Sequence, residues 1–166
     1  MLPALYFGEA GQLGRALFRL VVNQQLTLCQ RNRTVLTILY LDLDGFKEVN
    51  DTFGHATGDL LLCAVAARIR GAIRESDIAA RLGGDEFALA LVHTDMNDGA
   101  VFAGKLVELI AAPYRIADRA ITISVSIGLA GYPVTAAEID TLLGKADRAM
   151  YDAKKSGKRR YCISGQ

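Results

Sequence analysis

The sequence predicts an α/β (α+β) domain, with a central mixed sheet of about five strands flanked by helices. Three observations predict it. Val35 to Leu41 is an almost continuous apolar run, the pattern of a strand buried on both faces. Ile78–Leu82 and Phe87–Val92 are short apolar runs separated by Gly83-Gly84, the pattern of a β-hairpin. Gln12 to Gln30 carries Leu13, Leu17, Leu20 and Val21 at helical spacing, so helices accompany the strands.

The other elements follow in order. Val35 to Asp42 is the first strand, and Phe46 to Phe53 is a short helix ended by Gly54. Thr57 or Asp59 caps the next helix, which runs to about Arg74. Its Leu60, Leu61, Ala64, Val65 and Ile69 surround much of the circumference, so it should be well buried. After the hairpin, Gly99 to Ala112 is a helix stopped by Pro113. Tyr114–Ala117 and Ile121–Leu129 are strands. Thr135 to Ser156 is a helix ended by Gly157, and Arg160–Ile163 is a last strand.

Composition fits one domain with a sizeable core, since 51% of the 166 residues are hydrophobic. The formal net charge is +1, which gives no overall field directed at nucleic acid or membrane. Cys29, Cys63 and Cys162 show no metal-ligand spacing and are expected to be reduced, buried thiols, which points to the cytoplasm. The longest stretch without a charged residue or histidine, Ala120 to Ala137, alternates Ile121, Ile123, Val125 and Ile127 with Thr122, Ser124 and Ser126. That alternation makes a strand and turn, not a membrane helix. Met1-Leu2-Pro3 lacks the basic start of a signal peptide.

Chemistry concentrates in two acidic clusters. Asp85 and Glu86 follow the Gly83-Gly84 turn directly. Glycine lets a large ligand approach the backbone, and carboxylates beside that opening suit a hard divalent cation, which usually brings phosphates. The plainer alternative is a polar turn facing water. Asp42 and Asp44 end the first strand and, two residues apart, point the same way. Such like charges need a cation or separate hydrogen bonds to compensate them. Here the alternative is a strand end closed by an ordinary Asp44-Gly45 turn. Both clusters sit at strand ends, and a sheet can bring them together around one metal.

The blocks Asp42-Leu43-Asp44-Gly45-Phe46-Lys47-Glu48-Val49-Asn50, His55-Ala56-Thr57-Gly58-Asp59, Gly83-Gly84-Asp85-Glu86-Phe87 and Ala146 to Lys158 carry a resemblance. In order and spacing, from Val35 to Ile163, the chain resembles the GGDEF family of diguanylate cyclases. The resemblance implies a palm-like nucleotidyl cyclase fold, with the GGDE turn on its hairpin. It also implies an activity: condensation of two GTP into cyclic di-GMP with release of pyrophosphate. Mg²⁺ is the implied cofactor, with Mn²⁺ as the alternative. The implied metal ligands are Asp42, Asp85 and the backbone carbonyl of Leu43. Asp85 is also the implied acceptor of the attacking hydroxyl's proton, with Glu86 as partner, while Lys47 stabilises phosphate charge. Asp44 is expected to orient the loop or hold metal-bound water.

Asn50 and Asp59 are assigned to guanine. A carboxylate accepts from N1–H and the 2-amino group together, and adenine lacks that pair. His55 lies between them and can touch the nucleotide, while His93 is expected to be structural or exposed. Lys154 and Lys158 are assigned to phosphates; the family usually has arginine at position 158, so this grip lacks the bidentate fork. Arg74-Glu75-Ser76-Asp77 fits the family's RxxD motif, which implies product binding and inhibition at Arg74 and Asp77. A homodimer is expected for catalysis, and a sensor domain outside this chain is left open. Tyr6 to Arg15 does not match the family's opening Asp-x-Leu-Thr-Gly-Leu-x-Asn-Arg segment. A module that binds GTP or cyclic di-GMP without synthesis is therefore the competing reading.

Overall fold

The apolar run at 35–41 becomes the strand around which everything else is arranged. This computed structural model describes residues 4–6 and 12–166. In chain order these form β1 (Ala4–Tyr6), α1 (Gln12–Asn32), β2 (Leu36–Asp44), α2 (Phe46–Phe53), α3 (His55–Ala72), β3 (Ile78–Gly83) and β4 (Glu86–Val92). Then follow α4 (Met96–Ala111), β5 (Tyr114–Ile116), β6 (Arg119–Ile121), β7 (Ser124–Tyr132), α5 (Ile139–Lys155) and β8 (Arg160–Ile163). Among the described residues the main sheet has six strands in the order β1-β3-β4-β2-β7-β8, and β5-β6 form a separate two-stranded ribbon. The sheet is mixed, as expected. β2 is antiparallel to both β4 and β7, while β1 runs parallel to β3 and β8 parallel to β7.

Side chains alternate across β2 and feed two cores. Leu39, Leu41 and Leu43 join Phe46 of α2, Leu61, Val65 and Ile69 of α3, and Leu106 and Ile110 of α4. Leu36, Ile38 and Tyr40 join Phe18, Val22 and Leu26 of α1 and Leu142, Ala146 and Met150 of α5. Helices on both faces explain why β2 reads as continuously apolar.

Several boundaries differ from the sequence expectation, each for a local reason. α3 starts at His55 directly after Gly54, so neither Thr57 nor Asp59 is its cap. α4 starts earlier than Gly99, because Asp95 caps it by accepting from the Asp98 N–H at 2.9 Å. α5 starts later than Thr135, which is used in a turn: its N–H donates to Gly131 O, and its hydroxyl accepts from the Gly131 N–H. The expected strand 121–129 is divided between β6 and β7. Only part of α3 is buried, since Leu60 is 55% exposed and Cys63 faces solvent; of the three thiols, Cys29 is the buried one. No helix among the described residues is long and apolar enough to cross a membrane.

α5 lies directly on β7 at Gly128. A Cβ there would collide with the backbone at Ala146 O and Met150 N. Backbone atoms of a helix cannot give way as a side chain can. Gly128→Ala should therefore destabilise the domain by about 1–3 kcal/mol in urea unfolding. A loss under about 0.5 kcal/mol, the range of neutral surface changes, would show that α5 shifts freely.

Candidate functional site

Antiparallel pairing of β2 with β4 sets Asp42 opposite Glu86. The Leu43 N–H donates to Asp85 O at 3.0 Å, which joins the β2 end to the turn before β4. That turn needs its glycines: Gly83 and Gly84 have φ of 151° and 48°. The two acidic clusters thus meet at one end of the sheet. Burial, followed by the charge of Asp85, pushes the Asp42 carboxyl up to about 6. The Leu43 side chain is core, as expected.

Asp44 serves another purpose. It is buried and accepts from Ser124 Oγ at 2.7 Å, Ser126 Oγ at 2.8 Å, Lys154 Nζ at 3.1 Å and the Arg159 N–H at 3.3 Å. Burial works against its charge, but these donors outweigh it and hold the carboxyl below its ordinary pKa. Four donors occupy this carboxylate. Asp44 fastens β7 and the chain after α5 to the end of β2.

Lys154, on the last turn of α5, lies 3.2 Å from Asp42 and 3.1 Å from Asp44. Burial opposes its charge, and the two carboxylates overcome that and raise its pKa. The repulsion on β2 is therefore met by an ammonium from α5. Lys158 is exposed beyond Gly157, with its N–H donating to Ala153 O at 3.0 Å.

Glu86 turns toward α1. Tyr40 Oη donates to Glu86 Oε2 at 2.9 Å, and Arg15 reaches the Tyr40 hydroxyl at 3.4 Å and Glu86 at 3.6 Å. Burial is the largest cause that pushes the Tyr40 hydroxyl up to about 12, so it remains a donor at neutral pH. Sequence reasoning missed both partners. Tyr40 was findable, because it lies two residues before Asp42 on the same strand face. Arg15 left no signal; it sits on α1, far away in sequence. Within the region 6–15, residues 7–11 lie outside the described residues.

Gly45, at φ 84°, turns the chain from β2 into α2, which has no side-chain cap. Among the described residues no side chain caps the first-turn N–H groups of α2, which lie beside an acidic strand end, an arrangement that suits phosphate. Lys47 on that turn is exposed. Asn50 is half-buried, and its Oδ1 has no hydrogen-bond partner. It packs against Gly58, where a Cβ would collide with Oδ1. The fold thereby sets Asn50 against the turn that carries Asp59, itself exposed like His55 and His93.

Arg74 and Asp77 lie elsewhere. They precede β3, whose far end carries the Gly83-Gly84 turn, and six strand residues span roughly 20 Å. Asp77 is 2% exposed and accepts from the N–H groups of Arg74 at 2.8 Å and Val92 at 3.1 Å. The Arg74 guanidinium donates to Asp77, to Val92 O at 2.6 Å and to Thr94 Oγ1 at 2.8 Å. The Asp77 carboxylate is thus satisfied by donors within the fold. What faces outward is the arginine, beside a cleft of about 220 Å³ lined in part by Leu91, Thr94 and Phe102.

Among the described residues no group of three or more His, Cys, Asp or Glu side chains gathers as a ready-made metal site. Asp42 and Asp85 supply two hard oxygen donors, which fits a cation completed by phosphate oxygens rather than an all-protein cage.

The chain and its fold have relatives among known proteins. Residues 11–160 match the family model described as diguanylate cyclase, GGDEF domain. The chain is 45% identical over 142 residues to the bifunctional diguanylate cyclase/cyclic di-GMP phosphodiesterase MucR of Pseudomonas aeruginosa, covering 86% of this chain and 21% of that protein. The crystal structure of the GGDEF domain of TpbB (YfiN) from Pseudomonas aeruginosa superposes with a TM-score of 0.88 at 40% identity, covering 92% of this chain and 96% of that one. The GGDEF domain of DgcB from Caulobacter crescentus, solved in complex with c-di-GMP, gives 0.78 at 27% identity, covering 86% and 85%. The chain spans only 21% of MucR and 34% of full-length TpbB.

The raised Asp42 pKa has a measurable consequence. Between about pH 4 and about pH 6 the folded chain holds a proton that the unfolded chain has released, so stability falls as pH rises through that window. Without divalent metal, the wild type should gain about 1 kcal/mol at Asp42 on going from about pH 7.5 to about pH 5. Asp42→Asn should lack that component. Superimposable pH profiles of urea unfolding for the two proteins would refute the raised pKa.

Proposed function

Because the chain belongs to the GGDEF domain family of diguanylate cyclases, we propose that it condenses two GTP into cyclic di-GMP with release of pyrophosphate. The observation that carries this reading is the meeting of Asp42 and Asp85 at one sheet end, beside the uncapped start of α2 and the ammonium of Lys154. Asp42, Asp85 and the Leu43 carbonyl would hold Mg²⁺, or Mn²⁺ in its place. When bound, that ion supplies charge neutralisation on the triphosphate.

The protein's own groups do the rest. The α2 N–H groups and Lys47 orient phosphate oxygens, and Lys154 and Lys158 approach them from the other side. Asn50, whose Oδ1 lacks a protein partner, reads one edge of guanine, and Asp59 accepts from its N1–H and 2-amino pair. His55 lies at the rim. Asp85 accepts the proton from the attacking 3′-hydroxyl. Glu86, held by Tyr40 and Arg15, keeps a fixed negative charge beside it. One domain presents one GTP, so two copies must face each other to close the product ring.

Asp85→Asn should fold normally and lose synthesis by more than about a hundredfold, since it removes the proton acceptor and a metal charge together. Incubation with GTP and Mg²⁺ followed by nucleotide chromatography reads this directly. Unchanged synthesis by Asp85→Asn would overturn the assignment. The mismatch of Tyr6–Arg15 with the family's opening pattern favours a second reading, a module that binds these nucleotides without synthesis. That reading wins if the dimeric wild type binds GTP yet forms no product.

Product inhibition at Arg74 is the other part of the proposal. The guanidinium is the outward group there, while Asp77 braces it from below. Loss of one charged hydrogen-bonding partner costs about 1.5–3 kcal/mol, so Arg74→Ala should weaken cyclic di-GMP binding roughly tenfold to a hundredfold. Titration calorimetry compares the two proteins. Equal affinity would mean that Arg74-Glu75-Ser76-Asp77 only fastens a helix end to the sheet.

A further inference from the structure

Lys154 occupies the place where the acidic face needs positive charge. It is the sole hydrogen-bond or ion-pair partner of the Asp42 carboxylate among the described residues, at 3.2 Å. Asp44 differs, because it keeps Ser124, Ser126 and the Arg159 N–H if Lys154 leaves. Departure of the ammonium therefore strips Asp42 and spares Asp44. The Lys154 side chain is also 24% exposed, enough to turn outward toward a ligand.

We infer that Lys154 is the resident counter-cation of the site: divalent metal must displace it from Asp42, and nucleotide phosphates draw it away, so that metal and nucleotide bind cooperatively through one side chain. This rests on the cyclase reading of the same site and adds an order to it. An ammonium within about 3 Å of the carboxylate and a divalent cation on that same carboxylate repel each other strongly in a partly buried setting. They exchange rather than coexist. A triphosphate offers the lysine a stronger anionic partner. Whatever moves Lys154 frees Asp42, and by linkage metal on Asp42 frees Lys154 for phosphate. The metal-free, nucleotide-free site is thus neutralised by the protein itself, and metal alone binds weakly.

The test uses Mn²⁺ followed by electron paramagnetic resonance, with wild type, Lys154→Met and Lys154→Arg, each checked by circular dichroism. Without nucleotide, Lys154→Met should bind Mn²⁺ roughly tenfold tighter than wild type, and Lys154→Arg should resemble wild type. A GTP analogue with a methylene bridge between its α and β phosphorus atoms then reads the coupling by calorimetry. Mn²⁺ should strengthen analogue binding by a larger factor in wild type than in Lys154→Met. If Lys154→Met binds Mn²⁺ no tighter than wild type, this inference is overturned while the cyclase reading stands. Absence of Mn²⁺ binding in all three proteins, with analogue present and without it, overturns both.

Discussion

Asp42 and Asp44 project from the same face of one strand, and much of the site's construction follows from how their repulsion is met. The answer comes from the far end of the chain. α5 crosses the sheet, touches β7 backbone to backbone at Gly128, and ends with Lys154 between the two carboxylates. The two aspartates then diverge. Asp44 takes four donors and becomes a structural joint with a lowered pKa. Among the described residues the Asp42 carboxylate has the lysine alone, and its pKa is raised. One face of one strand thus carries a carboxylate satisfied by the fold and another left wanting a cation. The second kind destabilises a protein and is found where a ligand supplies what the fold withholds.

The elements around this joint were legible to different degrees. β2 and α2 were visible because an apolar run and a Gly stop are local signals. The meeting of Asp42 with Asp85 could be expected from strand ends, since a hairpin and a central strand have few ways to pair. The start of α5 was misplaced because Thr135, a good cap by type, is engaged with Gly131 across a turn. Tertiary hydrogen bonding there outranks local preference. The β1 strand was missed for a similar reason, since Ala4–Tyr6 is defined by pairing with β3 and has too few residues to show a period.

Site chemistry was harder to read than site location. The sequence shows which residues carry charge, but not which charges the fold has already matched. Lys154 looks like a phosphate ligand in sequence and is a counter-ion to two aspartates in the fold. Asp77 looks like a product-binding residue and is buried under its own arginine. Glu86 looks like a free partner of Asp85 and is anchored by Tyr40 and Arg15. In each case the missing information is a long-range hydrogen bond. Asn50 is the opposite case, because a helical asparagine is expected to find a partner and its Oδ1 has none. An unmatched buried acceptor costs stability unless a ligand completes it.

The placement of Arg74 and Asp85 at opposite ends of β3 limits how one could influence the other. β3 pairs with β1 on one side and β4 on the other. A one-residue slip would move Ala80 and Leu82 out of the core they share with α1 and bring their neighbours in. Sliding is therefore too costly to carry a signal along the strand. The brace between Arg74, Asp77 and Val92 further ties the start of β3 to the end of β4, so that end of the hairpin resists local distortion. A ligand held at Arg74 then has little leverage on the conformation of Asp85 within one domain. Under the proposed reaction its leverage lies outside the domain, in how two copies are set relative to each other. That is the level at which the proposed reaction, with its two facing sites, is most easily stopped.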